Sequence, residues 1–368
     1  MSLRDRLRQQ PKADQNTILT RFGVLSNPFP TSSQTSGNPH YPIPEDSEAE
    51  NRILSFIRDE NSEVLVVLGT QGVGKTNFLN YLESEIADAM VELDDFYIVR
   101  YMADPEPSFD GIIRTILQEL GTDHLKNVAK ELNSNNAPLD KLKSFDLRQA
   151  LFKLMKAPDD EEILRRAMEW LLGFRLLNVH RDTLGVSFRL DTVESRTAVL
   201  REYILLSSEL RLLKGIFLLL DELEKQAGVL GPTAVVRYLS SMRAIIDALP
   251  KHLFLVIALT PDALRRYSSA LPAFRSRLEN QITLRPLLDY DEAQKLARFY
   301  LDEAKKAAAR AEEVELGNDE LVTEQEMADA FANAKRASER RGDEGVRQRE
   351  FLNSLHSIAE QKIQALNA

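Results

Sequence analysis

Three short apolar runs, residues 64–68, 216–220 and 253–259, contain no polar position, whereas most of the chain places apolar residues at helical spacing. Uninterrupted runs of this length fit strands buried on both faces, the pattern of a parallel sheet under helices. Residues 96–102 and 281–284 read as two further strands. Helical spacing over 45–58, 77–87, 235–249, 292–311, 324–340 and 349–366 supplies the covering layers. The order of elements predicts an α/β fold. Between the strand at 96–102 and the run at 216–220 lies far more chain than one crossover needs, nearly all of it helical in period (109–120, 140–155, 159–172, 192–213). It predicts a large helical insertion at about 105–213, in which Trp170 reads as core.

The first run leads directly into Gly69-Thr70-Gln71-Gly72-Val73-Gly74-Lys75-Thr76, a complete G-x-x-x-x-G-K-T loop. Glycines let successive backbone N–H groups converge on phosphates at the positive end of the next helix. Gly69, Gln71, Gly72, Val73, Gly74 and Asn77 are read with them as cofactor-binding. Lys75 is placed to reach the β- and γ-phosphates, and the Thr76 hydroxyl to ligate the Mg²⁺ bridging them. ATP and Mg²⁺ are the expected cofactors. No Asn-Lys-x-Asp element for reading guanine occurs.

The second run ends in Asp221-Glu222, with Glu224 continuing the acidic character. In a parallel sheet this pair falls at the carboxyl edge, where ligands bind. Asp221 is expected to hold the metal through its water shell, and Glu222 to polarise the attacking water. The third run ends at Thr260, a sensor of the γ-phosphate or the N-cap of a helix opening at Pro261. Downstream, Phe274-Arg275-Ser276-Arg277-Leu278 offers an arginine to a neighbouring subunit's nucleotide, with Arg277 preferred over Arg275. Arg347-Gln348-Arg349 opens the last helix, and there Arg349 is preferred as a second sensor.

This order of parts resembles the AAA+ P-loop ATPases, in their replication-initiator and transposition-regulator branch. The residues that carry it are the loop at 69–76, Asp221-Glu222, Thr260, Arg277 and Arg349, with Asn27-Pro28-Phe29 ahead of the core. Trp170-Leu171-Leu172-Gly173, Leu213-Lys214-Gly215-Ile216 and Ala258-Leu259-Thr260-Pro261-Asp262 are similar to BREX-associated ATP-binding proteins of phage-defence islands. The resemblance implies a parallel sheet flanked by helices, a C-terminal helical lid, and an ATPase that assembles as a ring or filament. It implies work on duplex DNA with an effector, nuclease or transposase partner, in phage defence or transposition. The domains expected are an arm or linker at 1–44, a core at 45–290 and a lid at 291–368. A monomeric nucleotide-gated switch with little turnover is the alternative.

Composition narrows the setting. The chain of 368 residues has no cysteine, so disulfides and thiolate metal sites are excluded. No apolar run approaches the ~20 residues of a membrane span, and the charged start is no secretory leader. The cytoplasm is therefore expected. A net charge of −10 argues against a surface coated in nucleic-acid contacts. Basic candidates remain in the arm (Arg4, Arg6, Arg8, Lys12, Arg21) and in Arg336, Arg340, Arg341, Arg347 and Arg349. The second group is interrupted by Glu339, Asp343, Glu344 and Glu350, and reads as a salt-bridged face.

Overall fold

A computed structural model describes residues 19–31, 33–34, 36–91, 95–102, 109–223, 232–310 and 316–367. The arm arginines at 4, 6 and 8, Lys12 and Glu224 lie outside these residues. The chain forms two compact units. One contains Pro44–Leu68 and Tyr81–Thr283; the other contains the described residues up to Ile43, Gly69–Asn80 and the chain from Leu284 onward.

The first unit is built on a five-stranded parallel sheet in the order β2-β3-β4-β1-β5. Helix α1 (Pro44–Asp59) precedes β1 (Glu63–Leu68), and α2 (Lys75–Met90) leads to β2 (Phe96–Met102). Five helices follow before β3: α3 (Phe109–Ser134), α4 (Phe145–Lys156), α5 (Glu161–Leu171), α6 (Asn178–Leu184) and α7 (Val193–Glu209). Then come β3 (Gly215–Asp221), α8 (Pro232–Ala248), β4 (Leu253–Leu259), α9 (Pro261–Ala270), α10 (Pro272–Arg275) and β5 (Gln281–Thr283). Every residue of β3 and β4 is buried, which explains why their sequences carry no polar alternation. Phe56, Phe96, Phe217 and Phe254 pack ring against ring. Register pairs Leu68 with Leu259 and with Thr283, and Leu220 with Ile257. Asp221 and Thr260 therefore share the sheet edge at which β1 ends.

The helical insertion is present, with corrected boundaries. The expected helix at 109–120 ends where Gly121 leaves the helical conformation (φ 72°, ψ 179°), and a second helical stretch of α3 carries the chain on to Ser134. The expected helix at 140–155 divides into a 3-10 turn (Ala137–Lys141) and α4, because Ser144 caps a new helix by accepting from Leu147 N–H. Helix α6, too short to show a period, has no counterpart in the sequence reading. Trp170 is 1% exposed and donates its indole N–H to Phe188 O at 2.9 Å, so it is core as expected. A buried chain of polar groups ties α3 to β2 and α7. His124 Nδ1 lies 2.8 Å from the Tyr97 hydroxyl and Nε2 lies 2.9 Å from Ser207 Oγ. Ser207 donates to Tyr203 O, so its oxygen accepts from an Nε2–H tautomer of His124. Burial pushes His124 down to about 4.

The second unit contains α11 (Tyr290–Ala309), α12 (Glu324–Arg341) and α13 (Gln348–Asn367). Helix α12 is bounded by a reciprocal Thr323/Glu326 capping box and a left-handed Gly342. Its core gathers Leu296, Tyr300, Phe331, Phe351 and Leu355. Leu19, Phe22, Val24 and Phe29 belong to the same core, so the described part of the segment read as an arm is structural. Phe29 O takes a 2.6 Å hydrogen bond from His356 Nδ1, and Asn27 donates to His356 O and Glu360. Turn residues separate these apolar side chains, so no period announces their burial.

Candidate functional site

The loop after β1 has the backbone its glycines anticipate. Gly72 and Gly74 have φ of 85° and 103°, which side-chain-bearing residues adopt at a cost. A Cβ on Gly69 would come within 2.5 Å of the buried Val73 side chain. Helix α2 starts at Lys75, two residues earlier than its apolar spacing suggests. Its first-turn N–H groups are thus left for the loop to present. The first helical bond runs from Phe78 N to Gly74 O at 2.9 Å. Lys75 is 8% exposed, and its ammonium donates to Gly69 O at 2.9 Å and Thr70 O at 3.4 Å, so it is folded over its own loop. Thr76 follows it in the same turn, partly buried. A cradle of backbone N–H groups closed by a lysine fits a nucleotide's phosphates. The Thr76 hydroxyl is a hard oxygen donor of the kind Mg²⁺ takes.

Asn77, read in the sequence as cofactor-binding, makes side-chain contacts within its own chain. Its amide donates to Asn38 O and Pro39 O at 3.2 and 3.3 Å, and its oxygen lies 3.0 Å from His40 Nδ1. The His40 ring also packs edge-on against Phe78. Asn77 thus fastens residues 38–40 to the start of α2. The N-terminus of α13 meets the loop as well. Arg349 N–H donates to Gly72 O at 3.0 Å, and the Arg347 and Arg349 Cβ atoms lie 3.5 and 3.4 Å from where a Gly72 Cβ would stand.

The two arginines of this helix start are not equivalent. Arg347 is paired with Asp343 at 3.1 Å. Hydrogen bonding from Arg341, and then from Arg347, holds the Asp343 carboxyl below its usual range. Arg349 is exposed, and its guanidinium makes no ion pair among the described residues. Of the wider basic run, Arg341 pairs with Asp343 and Glu350, as a salt-bridged face requires, while Arg336 bonds the neutral amide of Asn333.

On the sheet edge, Asp221 is 1% exposed and its Oδ1 accepts from Glu222 N–H at 2.9 Å. Glu222 is partly buried with φ of 58°, a left-handed turn that ends the strand at once. Thr260 caps α9 by accepting from Ala263 N–H at 3.2 Å, so its capping role is seen directly. Arg277 is pinned by Asp247 of its own chain at 2.9 Å and is 42% exposed; Arg275 is exposed. The residue that sequence reasoning missed is Arg100, whose guanidinium reaches Asp221 Oδ2 at 2.9 Å. Its signal was a single charge inside the otherwise uncharged strand Phe96–Met102.

Among the described residues no helix is long and apolar enough to cross a membrane. No protein-family model matches the chain, and no curated protein matches it. Solved structures are similar at low identity. The ORC2 protein of Aeropyrum pernix, in ADPNP-ADP complexes, is 13% identical with a TM-score of 0.46, over 90% of this chain and 72% of that one. Cdc6p from Pyrobaculum aerophilum is 13% identical with a TM-score of 0.39, over 86% and 68%. A Walker-type ATPase of Pyrococcus abyssi is 14% identical with a TM-score of 0.32, over 90% and 79%. The fold is read from its own strand order and loop: a parallel five-stranded α/β sheet with a phosphate loop after β1 and an acidic pair at the end of β3, a P-loop nucleotide-binding fold.

Proposed function

We propose that the chain is an AAA+ ATPase of the replication-initiator and transposition-regulator type, whose nucleotide state governs assembly on a DNA-associated complex. The observation that carries this is the phosphate loop, with left-handed Gly72 and Gly74, Lys75 folded over it, and the Arg349 backbone bonded to Gly72. When bound, ATP·Mg²⁺ supplies the phosphoryl group and the cation that neutralises its developing charge. Lys75 and the loop N–H groups bind the phosphates, Thr76 and Asp221 hold the metal, and Glu222 takes the proton of the attacking water. Arg349, without an ion pair among the described residues, reads the nucleotide from α13, Arg277 acts on a neighbouring subunit's nucleotide, and Thr260 orients water while capping α9. Phage defence or transposition is the proposed setting, with a protein effector as partner, in the cytoplasm.

One observation favours a second reading. Asp247 holds Arg277 within its own chain, which suits a monomeric nucleotide-gated switch whose arginine is structural. Steady-state ATP hydrolysis over a wide range of protein concentration, with and without duplex DNA, separates the two. Activity per molecule that rises with concentration and again with DNA supports sites completed between subunits. Flat, DNA-indifferent activity supports the switch.

A further inference from the structure

Arg100 is the charged group that the proposed hydrolytic roles leave over. It stands in β2 opposite Leu219, so alternation places it on the same sheet face as Asp221, two residues further along β3. One terminal nitrogen, Nη2, donates to Asp221 Oδ2 at 2.9 Å, in a pair whose side chains are 18% and 2% exposed. The other, Nη1, is buried and makes no hydrogen bond among the described residues. Glu83 Oε2 stands 3.7 Å from that nitrogen, on α2, and its side chain is 39% exposed. Both oxygens of Asp221 are therefore engaged, Oδ2 by Arg100 and Oδ1 by Glu222 N–H.

We propose that Arg100 is a resident cation that competes with the divalent metal for Asp221, and that Glu83 is the carboxylate that receives it when the metal arrives. A carboxylate this buried needs a counter-charge, and Arg100 supplies one at 2.9 Å. A divalent ion brought to the same carboxylate is repelled by the guanidinium a few ångströms away. A second carboxylate beside the unbonded Nη1 gives Arg100 a place to go without leaving its charge uncompensated. The helix carrying Glu83 is the one that begins with Lys75 and Thr76, so the movement couples metal occupancy to the phosphate-loop helix.

This inference rests on the ATP·Mg²⁺ reading of the site, and its test separates the two. Binding of a fluorescent ATP analogue to the full chain is titrated with Mg²⁺, from an EDTA-treated start, and the half-saturating Mg²⁺ is read. Arg100→Gln removes the competitor and lowers that value roughly fivefold or more. Glu83→Gln removes the receiving carboxylate and raises it by a few-fold, and this rise disappears in the Arg100→Gln background. Arg100→Lys keeps the charge and stays near wild type. Shifts in the same direction, or no shift in either variant, overturn the inference while the Mg²⁺ dependence of the wild type stands. A wild type whose nucleotide binding ignores Mg²⁺ overturns the underlying reading and the inference with it. Thermal melts check folding; if Arg100→Gln does not fold, Glu83→Gln and Arg100→Lys decide, and an unshifted Glu83→Gln is then a refutation.

Discussion

Alanine at Gly74 and at Gly72 tests how far the phosphate loop depends on its backbone. An L-residue with positive φ costs roughly 1–2 kcal/mol, and the favourable left-handed basin ends near +70°. Gly72 at 85° lies at its margin, and Gly74 at 103° lies well outside it. A Cβ on Gly72 would sit 3.4 Å from Arg349 Cβ, an ordinary contact, whereas one on Gly74 would sit 3.0 Å from Gln348 Oε1. That glutamine end can rotate away, so the backbone supplies most of the difference. The expected cost is about 1 kcal/mol for Gly72→Ala and about 2–3 kcal/mol for Gly74→Ala. The cost appears in one of two places. A loop that stays in shape loses folding stability and keeps its nucleotide affinity. A loop that relaxes keeps stability and loses affinity, by a factor of ten for every ~1.4 kcal/mol. Denaturant melts and equilibrium nucleotide titrations on both variants measure the two parts. Their sum should be larger for Gly74→Ala. A Gly74 variant that changes neither quantity by more than about 0.5 kcal/mol, or a reversed order, refutes the reasoning.

Glu222→Gln should keep nucleotide affinity while turnover falls roughly 100-fold or more, since a general base contributes on that scale; normal hydrolysis would show the base to be wrongly assigned. Arg277→Ala should bind nucleotide normally without hydrolysing it, and mixing it with Lys75→Ala should restore activity through hybrid interfaces; no rescue would leave the Asp247 ion pair as that arginine's whole role. His124 predicts an acid-labile insertion. Its folded value of about 4 lies below its ordinary 6.5, so the unfolded chain takes up the proton first. Stability is then complete above pH 6.5 and falls as pH drops towards 4, by about 3 kcal/mol. Melts of His124→Gln should lose that part of the pH slope, and an unchanged slope would assign it to other groups.

The parts of the fold that could be read from the chain are those in which one local signal decides. The runs at 216–220 and 253–259 became fully buried central strands because nothing in them tolerates water. The loop at 69–76 was legible because its glycines are required by the geometry now seen at Gly72 and Gly74. Signals resting on distant partners were silent. Nothing local shows that Asn77 is spent on residues 38–40, that Phe22 and Phe29 enter the core of α11–α13, or that Asp247 waits thirty residues before Arg277. Arg100 is intermediate: a single charge within an otherwise uncharged strand suggests a counter-charge, but the sequence does not say that the partner is Asp221. The preference for Arg349 over Arg347 gains a physical reason only when Asp343 is found on Arg347.

The central claim is that this loop binds nucleotide through Lys75, and equilibrium binding of ATP with Mg²⁺ to the wild type and to Lys75→Ala tests it most directly. The account predicts saturable binding by the wild type. It also predicts affinity lower by roughly tenfold or more in the variant, the worth of a charge-assisted hydrogen bond, with an unchanged melting temperature. Equal affinity in the two proteins, or no saturable binding by the wild type, would contradict it.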